Sequence, residues 1–228
     1  MPTFALIPGA GGSAWFWHRV TPLLEATGAT AIPIELPAGD HTADLNTYAD
    51  VVVEAVADAP GPLVLVGQSM GGFTAPIVAT RVPTALIVLV NAMVPMAGES
   101  GGQWWENTGQ QAARIEYFQR IGLPREDFDE VEDFFHDVPE AVCDEALRQP
   151  EPQQSDTPFE EPWPLDAWPD VETRVIAGAD DRLFPLEFQR RVVRERLGLE
   201  VVAMPGGHLV ALSRPQELAD LLIEFADF

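Results

Sequence analysis

Gly67-Gln68-Ser69-Met70-Gly71, with Gly72 after it, directly follows the apolar run Leu63 to Val66 and directly precedes a helix-period stretch. A serine on a tight strand-to-helix turn exposes its hydroxyl at the carboxyl end of a sheet. Small flanking residues let the strand and helix backbones approach there. The helix N-terminus favours negative charge beside that serine. The chemistry is nucleophilic attack by Ser69. The blander reading is a glycine-rich turn whose serine only caps the helix.

A serine nucleophile needs a base. The histidines are His18, His41, His136 and His208. His208 closes Pro205-Gly206-Gly207-His208, in a glycine-loosened loop after the last strand pattern, where it reaches a serine at the same sheet edge. His18 lies in an aromatic helix start and reads as structural or cleft-lining. His41 reads as solvated, and His136 as a surface residue of an acidic segment. Asp180 and Asp181 follow the fifth strand pattern, and one of them should accept the second ring N–H of His208. Pro8-Gly9-Ala10-Gly11-Gly12 follows the first apolar run and can aim an N–H at a developing oxyanion. The Met70 N–H is the second donor. A phosphate-loop reading fails, because G-x-G-x-x-G does not fit and no Lys or Ser/Thr pair follows.

These residues need strands that end at one edge. Six short apolar runs supply them: Phe4 to Pro8, Thr30 to Leu36, Leu63 to Val66, Ala85 to Val90, Arg174 to Ala177 and Glu200 to Met204. Runs apolar on both faces predict strands covered on both sides. Helix-period stretches alternate with them: Trp15 to Glu25, with Pro22 as a kink or boundary, Thr42 to Asp58, Met70 to Thr80, Leu186 to Leu197, and Ser213 to Phe225, the last with Ser213 and Glu217 near capping-box spacing. The alternation predicts an α/β fold with about six mainly parallel strands and helices on both faces.

Residues 95–170 break the rhythm. They hold 19 of the 36 acidic residues and no convincing strand. Helices are expected near Trp104 to Ile121, Glu126 to His136 and Glu140 to Arg148, then a proline-rich stretch from Pro150 to Pro169. This reads as a helical cap inserted after the fourth strand of a single domain spanning 1–228.

At 228 residues the chain is within the size of one hydrophobic core. Its formal net charge is −23, and all 13 basic residues are Arg. A nucleic-acid or anionic-membrane partner is therefore not expected, and a lysine Schiff base is impossible. One cysteine, Cys143, excludes an internal disulfide and a cysteine-built zinc site. Met1 to Gly9 has no basic n-region, so no signal peptide is expected, and the location implied is cytoplasmic. No metal and no organic cofactor is expected.

With these pieces in place, the chain resembles the α/β-hydrolase superfamily over nearly its whole length. It is most similar to the small group of plant methylesterases and hydroxynitrile lyases and their bacterial relatives. The matching pieces are Leu6 to Trp15, Trp17-His18, Pro22-Leu23-Leu24, Gly67 to Gly72, Asp181 to Gln189, Gly206-Gly207-His208 and Pro215 to Leu218. The resemblance selects Asp181 as the acid, since Pro185 follows at the family's spacing. It places the other oxyanion donor at Ala10. The family usually has His-Gly where this chain has Pro8-Gly9, so the hydrogen bonding behind that loop should differ. The lyases carry a threonine at the position of Gly9 and a lysine after the catalytic histidine, where this chain has Leu209. That favours an esterase.

The expected activity is cleavage of a small carboxylic ester by a Ser69, His208, Asp181 triad. The alternatives are a lyase, cyclase or cofactor-free perhydrolase, or a receptor-like ligand binder, on the same scaffold. Gly9, Trp15, Met93, Trp104, Trp105 and Leu209 are the candidates for the substrate pocket, with Met96, Phe118, Phe134, Phe135 and Trp163 as further apolar candidates. The competing reading is that the aromatics form the cap's own small core. The partner expected is a small-molecule ester, and a homodimer is compatible with the sequence.

Overall fold

The computed structural model describes residues 1–149 and 153–227. Pro150 to Pro152, the start of the proline-rich stretch, lie outside the described residues. In chain order the elements are β1 (Thr3–Ile7), a 3-10 turn (Ala14–Trp17), α1 (Thr21–Glu25), β2 (Thr30–Pro33), α2 (Leu45–Ala55), β3 (Leu63–Gln68), α3 (Gly71–Ala79) and β4 (Leu86–Val90). An insertion follows, with α4 (Gly101–Thr108), α5 (Gln110–Arg120), a π-helical turn (Val131–Phe135), α6 (Glu140–Ala146) and α7 (Thr157–Glu160). The chain then returns to β5 (Thr173–Gly178), α8 (Leu186–Leu197), β6 (Val201–Met204), α9 (Val210–Ser213) and α10 (Pro215–Phe225).

The six strands form one parallel sheet in the order β2-β1-β3-β4-β5-β6. Period-two alternation splits its side chains between two cores. Ala5, Ile7, Leu63, Leu65, Ile87, Leu89 and Val175 pack with α2, α3 and α8 on one face. Phe4, Leu6, Val64, Val66, Val88 and Ile176 pack with α1 and α10 on the other. This is why both faces of each run had to be apolar. The chain direction across the sheet reverses between β1 and β3, and such a switch point opens a crevice at the strands' carboxyl ends. Among the described residues no helix is long and apolar enough to cross a membrane.

Several element boundaries differ from the sequence expectation, each for a local reason. The expected helix Trp15 to Glu25 is two pieces, because Pro22 sits in the first turn of α1, where its missing N–H costs nothing. The strand expected to reach Leu36 stops at Pro33; beyond it, Leu36 donates its N–H to Gly12 O, so the chain turns over the loop after β1. The stretch Trp104 to Ile121 starts earlier, at Gly101, under a capping box made by Ser100 and Gln103, and breaks at Gly109, which adopts φ 65°. Glu126 to His136 shrinks to the π-helical turn. Ser213 caps nothing: it ends α9, and α10 begins at Pro215 with no side-chain cap.

The insertion is tied to the sheet layer by a buried ion pair. Glu99 meets Arg196 of α8, both nearly fully buried. Glu99 also accepts from Asn107 Nδ2 at 2.7 Å. Burial pushes the Glu99 carboxyl up, but Arg196 and Asn107 outweigh it, so the net displacement is below the ordinary glutamate value. A carboxyl held low binds fewer protons folded than unfolded. Its stabilisation is complete above about pH 4.5 and is lost as the pH falls through the folded value. Glu99→Gln is therefore expected to cost about 3 kcal/mol at pH 7. Thermal melts of both proteins from pH 7 to pH 3 check this, since the difference in Tm should shrink on the acid side. A constant difference would show that the charge on Glu99 contributes nothing.

Candidate active site

The register Ile7↔Gly67 sets the loops after β1 and β3 side by side at the switch point. Ser69 follows β3 directly and takes φ 51°, a left-handed conformation unusual for a serine. Two glycines allow the turn. A Cβ on Gly67 would lie 2.7 Å from Gly71 O, and one on Gly72 would lie 2.0 Å from Met93 O. The tight crossing of β3 and α3 aims the hydroxyl away from the sheet.

His208 Nε2 lies 3.1 Å from Ser69 Oγ, and His208 Nδ1 lies 2.9 Å from Asp181 Oδ2. β5 and β6 are paired to their ends, Gly178↔Met204, so the loops carrying Asp181 and His208 emerge together. Asp181 is fully buried, and its Oδ1 accepts the N–H groups of Leu183 at 2.9 Å and Phe184 at 2.8 Å. An ionised carboxylate only accepts, so the proton on His208 belongs on Nδ1. That leaves the Nε2 lone pair facing Ser69. Phe134 stacks on the imidazole at 5.2 Å, and Phe184 meets it edge-on at 5.1 Å. The structure thus brings Ser69, His208 and Asp181 together. Asp180 is exposed and donates its N–H to Gly206 O.

The loop after β1 approaches the serine very closely. A Cβ on Gly9 would sit 2.8 Å from Ser69 Cβ. Gly9 donates its N–H to Gln68 Oε1 at 3.1 Å, and Gly11 donates to Gln154 Oε1 at 2.9 Å. Among the described residues the intervening Ala10 N–H, and the Met70 N–H at the start of α3, have no acceptor. Gln68 thus holds the loop that begins at Pro8-Gly9.

Four positioning residues were not singled out from sequence. Asn91, fully buried at φ 46° after β4, accepts Gly178 N–H on Oδ1 at 2.7 Å. Its Nδ2 donates to Gly207 O and His208 O, both at 2.9 Å. Gln189 Nε2 donates to Phe184 O at 2.7 Å and lies 3.3 Å from Asp181 Oδ2. Gln68 and Gln154 hold the Gly9 to Gly11 loop, and Gln154 Nε2 also donates to Tyr48 OH at 3.2 Å. The available signal was a polar residue at a strand's carboxyl end, which Gln68 and Asn91 both are.

Other expectations need correction. The cavity at Ser69 has a volume of about 250 Å³, and its wall includes Gly9, Ala10, Phe16, Phe134, Phe135, Gln154, His208 and Leu209. Gly9 and Leu209 are where the pocket expectation put them, and Trp15 lines an adjoining cavity. Met93, Trp104 and Trp105 line neither. Met93 and Trp104 are core residues, with Trp104 packed on Phe184 and Phe188 and its indole N–H donated to Val94 O. Trp105 packs on Trp104 and Phe184. Phe118 and Trp163 are buried as well, and Met96 is exposed. His18 is exposed, stacked on Trp15. His136 is half-buried behind the His208 loop, where burial and Arg182 hold it below the ordinary histidine value. The next residue, Asp137, accepts the Gly207 N–H at 2.8 Å.

Methylesterase 3 of Arabidopsis thaliana is 26% identical over 251 residues, covering 97% of this chain and 95% of the relative. An alpha-hydroxynitrile lyase of the same plant is 24% identical over 262 residues, covering 98% and 96%. A pyrethroid hydrolase from Sphingobium faniae has a solved structure that superposes with a TM-score of 0.78 at 25% identity, covering 100% of this chain and 98% of that one. A family model for the alpha/beta hydrolases matches residues 4–221. Since that match takes in every strand and the loops carrying Ser69, Asp181 and His208, this chain belongs to the alpha/beta hydrolase family.

Proposed function

We propose that this protein hydrolyses a small carboxylic ester through an acyl-enzyme on Ser69. The observation that carries the reading is the chain Asp181–His208–Ser69, set beside two N–H groups that have no acceptor of their own among the described residues. His208 Nε2 takes the Ser69 proton as Oγ bonds to the ester carbon. The carbonyl oxygen becomes an oxyanion held by the Ala10 and Met70 N–H groups. Asp181 stabilises the imidazolium and keeps its orientation. His208 returns its proton to the alcohol oxygen as the carbon–oxygen bond breaks. Water, deprotonated by the same nitrogen, then releases the acid and restores Ser69. No metal or organic cofactor enters these steps.

The relative that is a lyase makes cyanohydrin cleavage the competing reaction. Leu209, next to the base, puts an apolar side chain in the cavity, and among the described residues neither Lys nor Arg lines it to receive a cyanide anion. That supports ester hydrolysis. The test is turnover of p-nitrophenyl acetate and of an aromatic cyanohydrin between pH 5 and pH 9. Ester hydrolysis that is lost in His208→Ala is the expected result. Aldehyde release from the cyanohydrin without ester turnover would overturn the reading, and unchanged ester turnover in His208→Ala would remove His208 as the base.

A further inference from the structure

We propose that the acyl group of this ester is a bulky, uncharged hydrocarbon, held in a second chamber beside the catalytic cavity. The inference rests on the ester-hydrolase reading above and specifies its substrate class.

The cavity at Ser69, about 250 Å³, is small. Sites for drug-sized ligands run from about 300 to 1,000 Å³. Beside it lies a cavity of about 550 Å³. Gly11, Phe16, Glu130 and Phe135 are walls of both. The larger chamber is completed by Trp15, by Leu36 and Ala38 beyond β2, and by Ala146 and Leu147 at the end of α6. It is a mainly apolar space built from three separate parts of the chain, and no step of the chemistry uses its own walls.

Direction follows from the reaction. A carbonyl carbon bonded to Ser69 Oγ has three other substituents. The oxyanion must face the Ala10 and Met70 N–H groups, and the leaving oxygen must face His208 Nε2. The acyl chain takes the remaining direction. His208, Leu209 and Phe134 border only the smaller cavity, whereas the larger chamber opens on the Gly11 and Phe16 side. The alcohol therefore sits in the small cavity and the acyl chain extends into the large one.

Charge narrows the class further. Glu35, Asp40 and Glu130 stand on the larger chamber's wall, no Arg among the described residues lines either cavity, and the chain carries a net −23. An acyl chain ending in a carboxylate meets repulsion with no counter-ion, so the acyl group is uncharged.

The experiment compares p-nitrophenyl acetate, p-nitrophenyl octanoate and the p-nitrophenyl monoester of an eight-carbon dicarboxylic acid, and in parallel methyl and octyl acetate. From acetate to octanoate, kcat/KM is expected to rise roughly three- to four-fold per methylene that the chamber covers. Lengthening the alcohol should give no such rise. The dicarboxylic monoester should fall about ten-fold below octanoate. Ala146→Trp should erase the octanoate gain. Leu147→Arg, at an exposed position that folding tolerates, should narrow the gap between octanoate and the monoester. A flat acyl series with acetate still turned over would overturn the inference and leave the hydrolase reading intact. So would a rise in the alcohol series, or full octanoate activity in both variants. No turnover of any ester would sink the hydrolase reading and this inference with it.

Discussion

Ser69→Ala should lower kcat/KM for any ester substrate by about 10⁵- to 10⁶-fold, the largest single effect expected in this protein. The loss follows from geometry. Ser69 Oγ is 3.1 Å from the His208 imidazole, which faces the cavity and is held by a fully buried carboxylate. Without the hydroxyl, no covalent intermediate forms and water must attack unaided. The Ala10 and Met70 N–H groups remain, so a residual rate of roughly 10³-fold over water should persist. Stability should change by less than about 0.5 kcal/mol, because Ser69 is only half-buried and its backbone bonds to Val90 O and from Met93 N–H are kept. His208→Ala should cost about as much, and the double variant little more, since the two residues act on one proton. Stopped assays together with labelling by an alkyl fluorophosphonate check this: the parent gains one adduct at Ser69, and the variant gains none. A loss smaller than about ten-fold would show that another residue attacks.

Asn91→Ala should damage both stability and turnover, although Asn91 touches no reacting atom. Its side chain joins three loops. It accepts the Gly178 N–H at the end of β5 and donates to the carbonyl oxygens of Gly207 and His208 after β6. Alanine leaves three buried backbone groups unpaired, each worth about 1–3 kcal/mol, for a total near 4 kcal/mol after partial relaxation. Alanine also fits φ 46° less well than asparagine does. A loosened His208 loop moves Nε2 relative to Ser69, and an error of about 1 Å costs roughly 10²-fold. At a temperature where the variant is fully folded, kcat should fall by about that factor while KM changes little. Denaturant melts and steady-state kinetics measure both. Parent-like kcat in a destabilised variant would make Asn91 a purely structural residue.

The candidate site was legible because its parts are local. Ser69, the Gly9 to Gly12 loop, Asp181 and His208 each sit within a few residues of a strand's carboxyl end. In a parallel sheet all such ends share one edge, so identifying the strands already assembled the residues. The choice between Asp180 and Asp181 came only from the family pattern. The structure buries Asp181 against the Leu183 and Phe184 N–H groups and leaves Asp180 outside.

The insertion was legible as a helical interruption and little more. Its pocket-facing side chains could not be read, because a tryptophan reports burial and says nothing of the partner. Trp104 and Trp105 were placed at the cavity and instead complete a core with Phe184 and Phe188. Phe134 and Phe135 reach the cavity through a π-helical turn pinned by Asp133, which is fully buried and bonded to Arg114 at 2.8 Å and Arg125 at 2.7 Å. Nothing in the periodicity of Glu126 to His136 announces that turn.

By itself, then, the sequence determined the parallel α/β sheet and the candidate residues gathered at its carboxyl edge. Short apolar runs, glycine turns and strand ends act over a few residues and survive without knowledge of packing. Tertiary structure alone decided the shape of the substrate space and the supports behind the catalytic groups. Asn91 meets the residues it holds across separations of 87 to 117 positions, and Gln154 meets Gly11 across 143. Such contacts depend on how strands align and how the insertion docks. Those are properties of the whole packed chain, which no local window of residues contains.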